Sequence, residues 1–195
     1  MATKPSVVTP ERFNSGFTYP DFIAQIKVNK DQFNKHYESG RLNPEDEEFF
    51  RRAAQTSGGI GKILVIGEAW CPDVFRGMPV AARISEVTSA DMRIFLRDEN
   101  PDIMNEFLKH GKYISIPVIV FYTADLQHIC HWIERPEAAD QEREQIEASA
   151  KKEMPDASEQ ELQAKIRELI QTRYPAWQQE TIREMRHMLA EKLPV

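Results

Sequence analysis

The chain has 195 residues, of which 41% are hydrophobic and 29% are charged, a composition typical of folded globular proteins and not of disordered chains. Its formal net charge of -6 disfavours a nucleic-acid partner, because nonspecific affinity for phosphate backbones requires clustered Lys and Arg. Two cysteines are too few for a disulfide framework.

These numbers favour a cytoplasmic protein that consists of one domain with appended elements. The N-terminal residues show no apolar secretory segment. The longest apolar run, residues 116–122, is far shorter than the ~20 residues that cross a bilayer. No membrane partner is therefore expected.

The first part of the chain is predicted to form an irregular arm followed by two helices. Residues 1–18 contain Pro5, Pro10 and Gly16 and show little periodicity. Apolar spacing from Asp21 predicts one helix that ends near residues 39–40. A second helix is predicted over 44–56, because a proline and acidic side chains suit a helical first turn. Residues 1–58 are thus expected to be an arm and two helices packed on the core.

The middle of the chain, residues 59–153, is predicted to be an α/β core. Its short apolar runs indicate strands, and the segments between them indicate helices. Two strand–helix–strand crossovers require parallel pairing, whereas a short turn near Asp125 requires an antiparallel hairpin, so the sheet is mixed. The predicted strands are 63–66, 92–96, 117–122 and 127–133, and the predicted helices are about 72–88, 101–110 and 137–152.

The last part of the chain, residues 154–195, is predicted to be a helical pair. Ser158 and Glu161 form a capping-box pattern that begins one helix, and Pro175 is predicted to begin the other. Each has an apolar stripe that needs a partner. The stripes are expected to fold back over the protein's own sheet, and the alternative is a surface for a homodimer or another partner. The protein is thus expected to be a monomer or a homodimer through these helices.

The most informative stretch is residues 62–74, in which an apolar strand leads into Cys71 at the start of a helix. The N-terminus of a helix presents unpaired N–H groups and a partial positive charge, which stabilise a thiolate. The carboxylates of Glu68 and Asp73 act in the opposite direction, so the sequence leaves the net change in the Cys71 pKa open. Val74 stands where a Cys-x-x-Cys pair would carry its second sulfur.

Four segments, in this order, resemble the thioredoxin superfamily, and in particular a branch of small bacterial thioredoxin-like proteins. They are EAWCPD at 68–73, RDEN at 97–100, SIP at 115–117 and WIERP at 132–136. The resemblance covers about residues 20–136. It implies a thioredoxin-like α/β fold with a mixed four-stranded sheet flanked by helices, to which N-terminal and C-terminal helices are added.

The resemblance also implies which residues form the site. Cys71 is the nucleophile, Pro79 lies inside its helix, and Pro117 is the family's cis-proline, which faces the nucleophilic sulfur. Trp70 is expected to pack over the thiol and Pro72 to begin the helix. The site set implied by the motifs is Cys71 with Glu68, Trp70, Pro72, Asp73, Val74, Ile116 and Pro117.

Two departures from the family pattern affect the chemistry. Val74 replaces the resolving cysteine, and Val65 replaces the buried acidic residue that assists resolution, so a dithiol oxidoreductase is not expected. The first expected function is single-cysteine thiol–disulfide exchange through mixed disulfides. Its partners are protein thiols or a low-molecular-weight thiol such as glutathione, and no other cofactor is expected.

The alternative is a redox-silent binding module that uses the groove between Cys71 and Pro117, or the C-terminal helices, as a contact surface. Whether the protein is an enzyme therefore stays open. Exchange chemistry requires an exposed Cys71 sulfur and a cis bond before Pro117. A peroxidase is disfavoured, because peroxiredoxins place threonine and proline ahead of the reactive cysteine and residues 65–70 contain neither.

A second group of candidate ligands lies in the last predicted strand. Strand alternation places His128 and Cys130 on one face and His131 on the other, so at most two ligands converge and no metal is expected. Cys130 is expected to lie too far from Cys71 for a disulfide, which needs Cα atoms within about 7 Å. It is interpreted as a small buried hydrophobic residue.

Overall fold

The computed structural model describes residues 5–195, so the first four residues of the predicted arm lie outside the described residues. The helices are α1 (Pro10–Asn14), α2 (Tyr19–Gln25), α3 (Lys30–Ser39), α4 (Pro44–Gln55), α5 (Pro72–Thr88), α6 (Pro101–Met104), α7 (Glu137–Glu153) and α8 (Glu159–Ala190). The strands are β1 (Lys62–Gly67), β2 (Asp91–Leu96), β3 (Val118–Tyr122) and β4 (His128–Ile133).

The four strands form one mixed sheet in the order β2-β1-β3-β4. β1 pairs in parallel with β2 and antiparallel with β3, and β3 pairs antiparallel with β4. The two central strands are buried almost along their whole length, which explains their continuous apolar sequence. Phe17 of the N-terminal arm pairs with Ile94 on the outer edge of β2. The predicted mixed sheet is confirmed, but the parallel pairing predicted for the second crossover is wrong, because β3 lies beside β1 and runs antiparallel to it.

Helices from both ends of the chain pack around α5, which follows β1. α3, α4 and α8 each contact α5, and α8 also contacts β4. The main apolar core therefore includes side chains from the sheet, from α5 and from the second half of α8. The first half of α8 packs instead on α7, around a separate small cluster that consists of Ala139, Ala150, Ile166, Ile170 and Trp177.

The single helix predicted from residue 21 to residue 39 is wrong. The chain leaves helical geometry at Ile26, and Asn29 adopts a left-handed conformation with φ of 57° before α3 begins. Asparagine tolerates this conformation better than most residues. The break has a tertiary partner, because the Asn29 side-chain amide donates to the carbonyl of Ala69 at 2.9 Å, next to the cysteine-bearing turn.

Two further helix predictions need correction. The helix predicted over 101–110 ends at Met104, after which Glu106 and Phe107 form tighter bonds to carbonyls three residues back. The predicted C-terminal pair is one helix, since α8 continues through Pro175. A proline in a helix interior removes one backbone bond, and here buried side chains anchor both sides of the break, Ile170 before it and Trp177 after it.

A β-bulge in the β3–β4 hairpin also changes which side chains meet. Phe121 pairs with Cys130 and Tyr122 with His128, so Ile129 is the extra residue. His128 therefore lies on the same face as His131, and their ring nitrogens are 3.0 Å apart. The prediction that the two histidines lie on opposite faces of the strand is therefore wrong. Among residues 5–195, no helix is long and apolar enough to cross a membrane.

Candidate site at Cys71

Cys71 lies at the junction between β1 and α5. It is the N-cap residue of α5, and Pro72 occupies the first helical position, as predicted. A turn with the Cys71 N–H donating to the Glu68 carbonyl at 3.1 Å connects the strand to the helix. Gly67 is required at the end of β1, because a Cβ there would lie 2.8 Å from a methyl group of Val74.

The Cys71 sulfur lies between the start of α5 and the segment that precedes β3. It is 3.8 Å from the carbonyl oxygen of Ile116, and the bond between Ile116 and Pro117 is cis. The Cys71 side chain forms no capping hydrogen bond with the first turn of α5, and the Val74 N–H donates instead to the Cys71 carbonyl at 3.1 Å. The hydrogen-bond partner of the thiol is therefore the Ile116 carbonyl, while the N–H groups of Asp73 and Val74 lower its pKa.

The exposure expected for Cys71 is not observed, since only 9% of its surface is accessible. Burial raises the pKa of the Cys71 thiol, and the charge of Asp73 raises it further. The N–H groups of Asp73 and Val74 and the charge of Arg135 act in the opposite direction, but the pKa stays above its usual value. Desolvation thus outweighs the stabilisation by the helix N-terminus.

Asp73 is held between two arginines. Its carboxylate accepts from Arg135 at 2.7 and 3.1 Å and forms a second ion pair with Arg76. Burial alone would raise the pKa of this carboxyl group, yet the two guanidinium groups hold it below its ordinary value. Asp73 is therefore ionised, and its charge is compensated next to the cysteine.

The remaining predicted site residues have distinct environments. Glu68 is buried, and its carboxylate accepts from the N–H of Asp98 at 3.0 Å, which joins the end of β1 to the loop after β2. Val74 is fully buried. Trp70 is 52% exposed with the guanidinium of Arg97 5.0 Å from its ring centre, so it is not an interior packing residue. That its indole packs over the thiol stays a prediction.

The sequence analysis did not single out Arg76 and Arg135, which lie next to the site. Arg76 is 1% exposed and lies 5.3 and 5.1 Å from the ring centres of Tyr174 and Trp177 of α8. Arg135 joins Asp73 to the start of α7. A signal for Arg76 was present, because it is a charged residue within the apolar stretch 74–82, where a charge needs a partner.

The exposed large hydrophobic side chains of the described residues lie close in sequence to residues of this site or to residues bonded to it, and we call them the apolar rim. Trp70 precedes Cys71, and Ile114 lies two residues before Ile116 and lines a surface groove with Arg97. Val28 is adjacent to Asn29, which bonds to Ala69. The apolar rim consists of Val28, Trp70, Tyr113 and Ile114, each between 51% and 60% exposed.

Cys130 lies apart from this site, in the middle of β4. Both cysteines are free thiols, and Cys130 is 5% exposed. Burial raises the pKa of Cys130 to about 12. Within residues 5–195, no group of three or more His, Cys, Asp or Glu side chains is arranged to hold a metal ion, including the His128–His131 pair.

The chain matches a known protein family over the segment that contains the sheet, Cys71 and the proline before β3. A family model described as thioredoxin matches residues 16–151, which is more than half of the chain. The chain belongs to the thioredoxin family. No match was found among curated proteins.

Two solved structures share this thioredoxin-family fold. A protein of unknown function, PA1234 from Pseudomonas aeruginosa, is 16% identical with a TM-score of 0.64, over 94% of this chain and 98% of that one. An HIV epitope scaffold is also 16% identical with a TM-score of 0.65, over 94% of this chain and 99% of that one. At this identity the likeness concerns the fold, including the extra helices.

Proposed function

We propose that this thioredoxin-family protein carries out single-cysteine thiol–disulfide exchange, in which Cys71 forms mixed disulfides. The observation that carries the proposal is the position of the Cys71 sulfur, between the N–H groups at the start of α5 and the carbonyl of Ile116. Val74 fills the position from which a second sulfur would act, so the mixed disulfide has no internal route to resolution. The protein is proposed to be a cytoplasmic member of the bacterial single-cysteine branch.

The exchange balances without an oxidant or reductant. The Cys71 thiolate attacks one sulfur of a disulfide, a new S–S bond forms with that sulfur, and the second sulfur leaves as a thiolate that takes up a proton. A second thiol, from a protein or from a low-molecular-weight thiol such as glutathione, attacks the mixed disulfide and returns Cys71 to the thiolate. Glutathione or an equivalent is thus a co-substrate.

Exchange was expected to require an exposed sulfur, and only 9% of Cys71 is accessible; we propose that this remaining access lets the reaction proceed and that burial slows it. Each unit of raised pKa lowers the thiolate fraction at neutral pH about tenfold, but it raises the nucleophilicity of that thiolate about threefold. The net loss of rate is only about threefold per unit. The direction of the Cys71 pKa therefore predicts slow exchange that accelerates as the pH rises.

A second candidate function is noncovalent binding by a redox-silent module. It is favoured by the low accessibility of Cys71 together with the apolar rim, in which Trp70 precedes Cys71 and Ile114 lies two residues before Ile116. In that function the Cys71 thiol stays protonated and donates to the Ile116 carbonyl. Partner specificity then depends on Trp70 and Ile114 and not on the sulfur.

One experiment separates the two functions. The reduced protein is incubated with glutathione disulfide between pH 7 and pH 10, and adducts are measured by mass spectrometry. The Cys130→Ala variant should gain one glutathionyl group that dithiothreitol removes, with a rate that rises with pH, whereas Cys71→Ser should gain none. Absence of an adduct on Cys71 over the whole range contradicts exchange and favours the binding module.

A further inference from the structure

Arg135 connects the cysteine-bearing turn to two other parts of the molecule. Its Nε and Nη2 atoms donate to Asp73, and its Nη1 atom donates to Asp140 in the first turn of α7 at 2.8 Å. Its Nη2 atom also lies 2.5 Å from the carboxylate of Glu134. One guanidinium group thus contacts carboxylates from α5, from α7 and from the segment after β4.

Lys109 extends this network to the segment before Pro117. Its ammonium group lies 2.8 Å from Glu134 and 3.5 Å from Asp140. Its backbone pairs with Tyr113, which fixes the loop that leads to Ile116. Arg135 therefore shares its anions with a cation that belongs to the loop on the other side of the Cys71 sulfur.

The charges that act on Cys71 can be assigned individually. Asp73 raises the pKa of the thiol and Arg135 lowers it, whereas Tyr174 of α8 is a neutral phenol nearby. Arg76 pairs with the other oxygen of Asp73 and is enclosed by aromatic rings. Arg135 is thus the cation of this network that both bonds to Asp73 and lowers the pKa of the Cys71 thiol.

We propose that Arg135 is a positioning residue for Cys71: it fixes the Asp73 carboxylate at the start of α5 and offsets its charge, so that the thiolate forms beside an ionised carboxylate. This inference deepens the proposed exchange function and rests on it for its biological meaning. The inference itself is about the ionisation of the Cys71 thiol, which can be measured without the exchange reaction.

The test measures alkylation of Cys71 by iodoacetamide against pH, in the full chain carrying Cys130→Ala. Alkylation reports the thiolate and requires no disulfide partner, so a failure of the exchange function leaves the test intact. Arg135→Met should slow alkylation at pH 8 by about three- to tenfold and move the profile to higher pH. Arg135→Lys keeps the charge but loses the bidentate contact with Asp73. Its alkylation rate should lie between that of the parent and that of Arg135→Met.

The matched control is Arg51→Met, which removes an arginine from an exposed i,i+4 pair with Glu47 in α4 and should leave the profile unchanged. If Arg135→Met folds, as judged by circular dichroism, and its profile coincides with the parent profile, the inference is overturned. Where Arg135→Met does not fold, Asp73→Asn decides. Removing that negative charge should accelerate alkylation, and an equal or slower rate overturns the inference.

Discussion

The surroundings of Cys71 and those of Cys130 show what a thioredoxin-family fold adds to a buried thiol. Both side chains are at least nine-tenths inaccessible, and burial raises the pKa of both. Cys71 lies at a helix N-terminus, where backbone N–H groups and the positive charge of Arg135 lower the pKa of the thiol. Cys130 lies in the edge strand β4, where, among the described residues, the charge of Lys192 opposes the effect of burial.

This difference teaches that burial does not decide reactivity by itself. The two thiols share the cost of desolvation, and they differ in the groups that would stabilise a thiolate once it forms. A large difference in reaction rate between the two thiols is therefore expected.

Selective alkylation is the most direct test of the difference in reactivity between Cys71 and Cys130. In the native protein at pH 8.5, iodoacetamide should modify Cys71 at least about tenfold faster than Cys130. The reason is that Cys130, with a pKa of about 12, has almost no thiolate at that pH. Peptide mapping after quenching measures both rates. In denaturant the two rates should converge, and a native Cys130 that reacts as fast as Cys71 contradicts the prediction.

A second cysteine at position 74 tests whether the turn that carries Cys71 can form an internal disulfide. Val74→Cys places a thiol one helical turn after Cys71, at a position where a side chain of similar size already fits against Gly67. Mild oxidation should then form an intramolecular disulfide and remove two thiols from an Ellman titration. Val74→Ala, treated identically, should keep both of its native thiols. A variant that stays fully reduced would show that the turn holds the two sulfurs apart.

Acid should weaken the side of the fold on which Cys71 lies. His36 is 3% exposed, stacks on Phe75 of α5 with ring centres 5.7 Å apart, and has its pKa lowered by burial to about 4. Because the unfolded state binds a proton near pH 6.5, this histidine should cost the fold about 3 kcal/mol as the pH falls from 6.5 to 4. Urea denaturation at each pH measures the effect.

The matched variants for that experiment are His36→Phe and His187→Gln. The first should flatten the pH dependence of the unfolding free energy in this range. The second changes an exposed histidine of α8 and should leave the dependence intact. Equal slopes in the parent and His36→Phe proteins would assign the acid sensitivity to another group.

The smallest expected effect on stability belongs to Trp70. Since this side chain is half exposed, Trp70→Ala should change the unfolding free energy by less than about 0.5 kcal/mol. It should nevertheless slow mixed-disulfide formation with a disulfide-containing peptide, because the indole belongs to the apolar rim beside Cys71. Reaction with a small disulfide such as cystamine should be less affected. Equal losses for both reagents would count against a role of the apolar rim in binding.

Much of the core was predictable because its signals are local. Helix α5 has the predicted bounds, since Pro72 and the residues after Thr88 mark its two ends. The capping box at Ser158 and Glu161 is present in the structure. The parallel pair β1–β2 and the antiparallel hairpin β3–β4 followed from connection lengths, because a crossover helix allows parallel neighbours and the short turn at Asp125 does not. The direction of β3, which is antiparallel to β1, did not follow from them.

The errors share a different cause. The break before α3 is stabilised by a bond from Asn29 to Ala69, forty residues away in sequence. The continuity of α8 through Pro175 depends on side chains buried by other elements. The meeting of His128 and His131 depends on a bulge at Ile129 that the residue pattern does not reveal. In each case contacts between distant segments decide the backbone conformation against the preference of the local sequence.

By itself, the sequence determined the α/β order, the mixed sheet, the position of Cys71 at the start of a helix and the lack of a second sulfur at Val74. Only the tertiary structure decided that Cys71 is covered, that Asp73 is compensated by Arg76 and Arg135, and that the side chains of the apolar rim stay exposed. Periodicity and residue type are local properties of the chain. Burial and charge pairing depend on segments that meet only after folding, and they set the ionisation of the thiol.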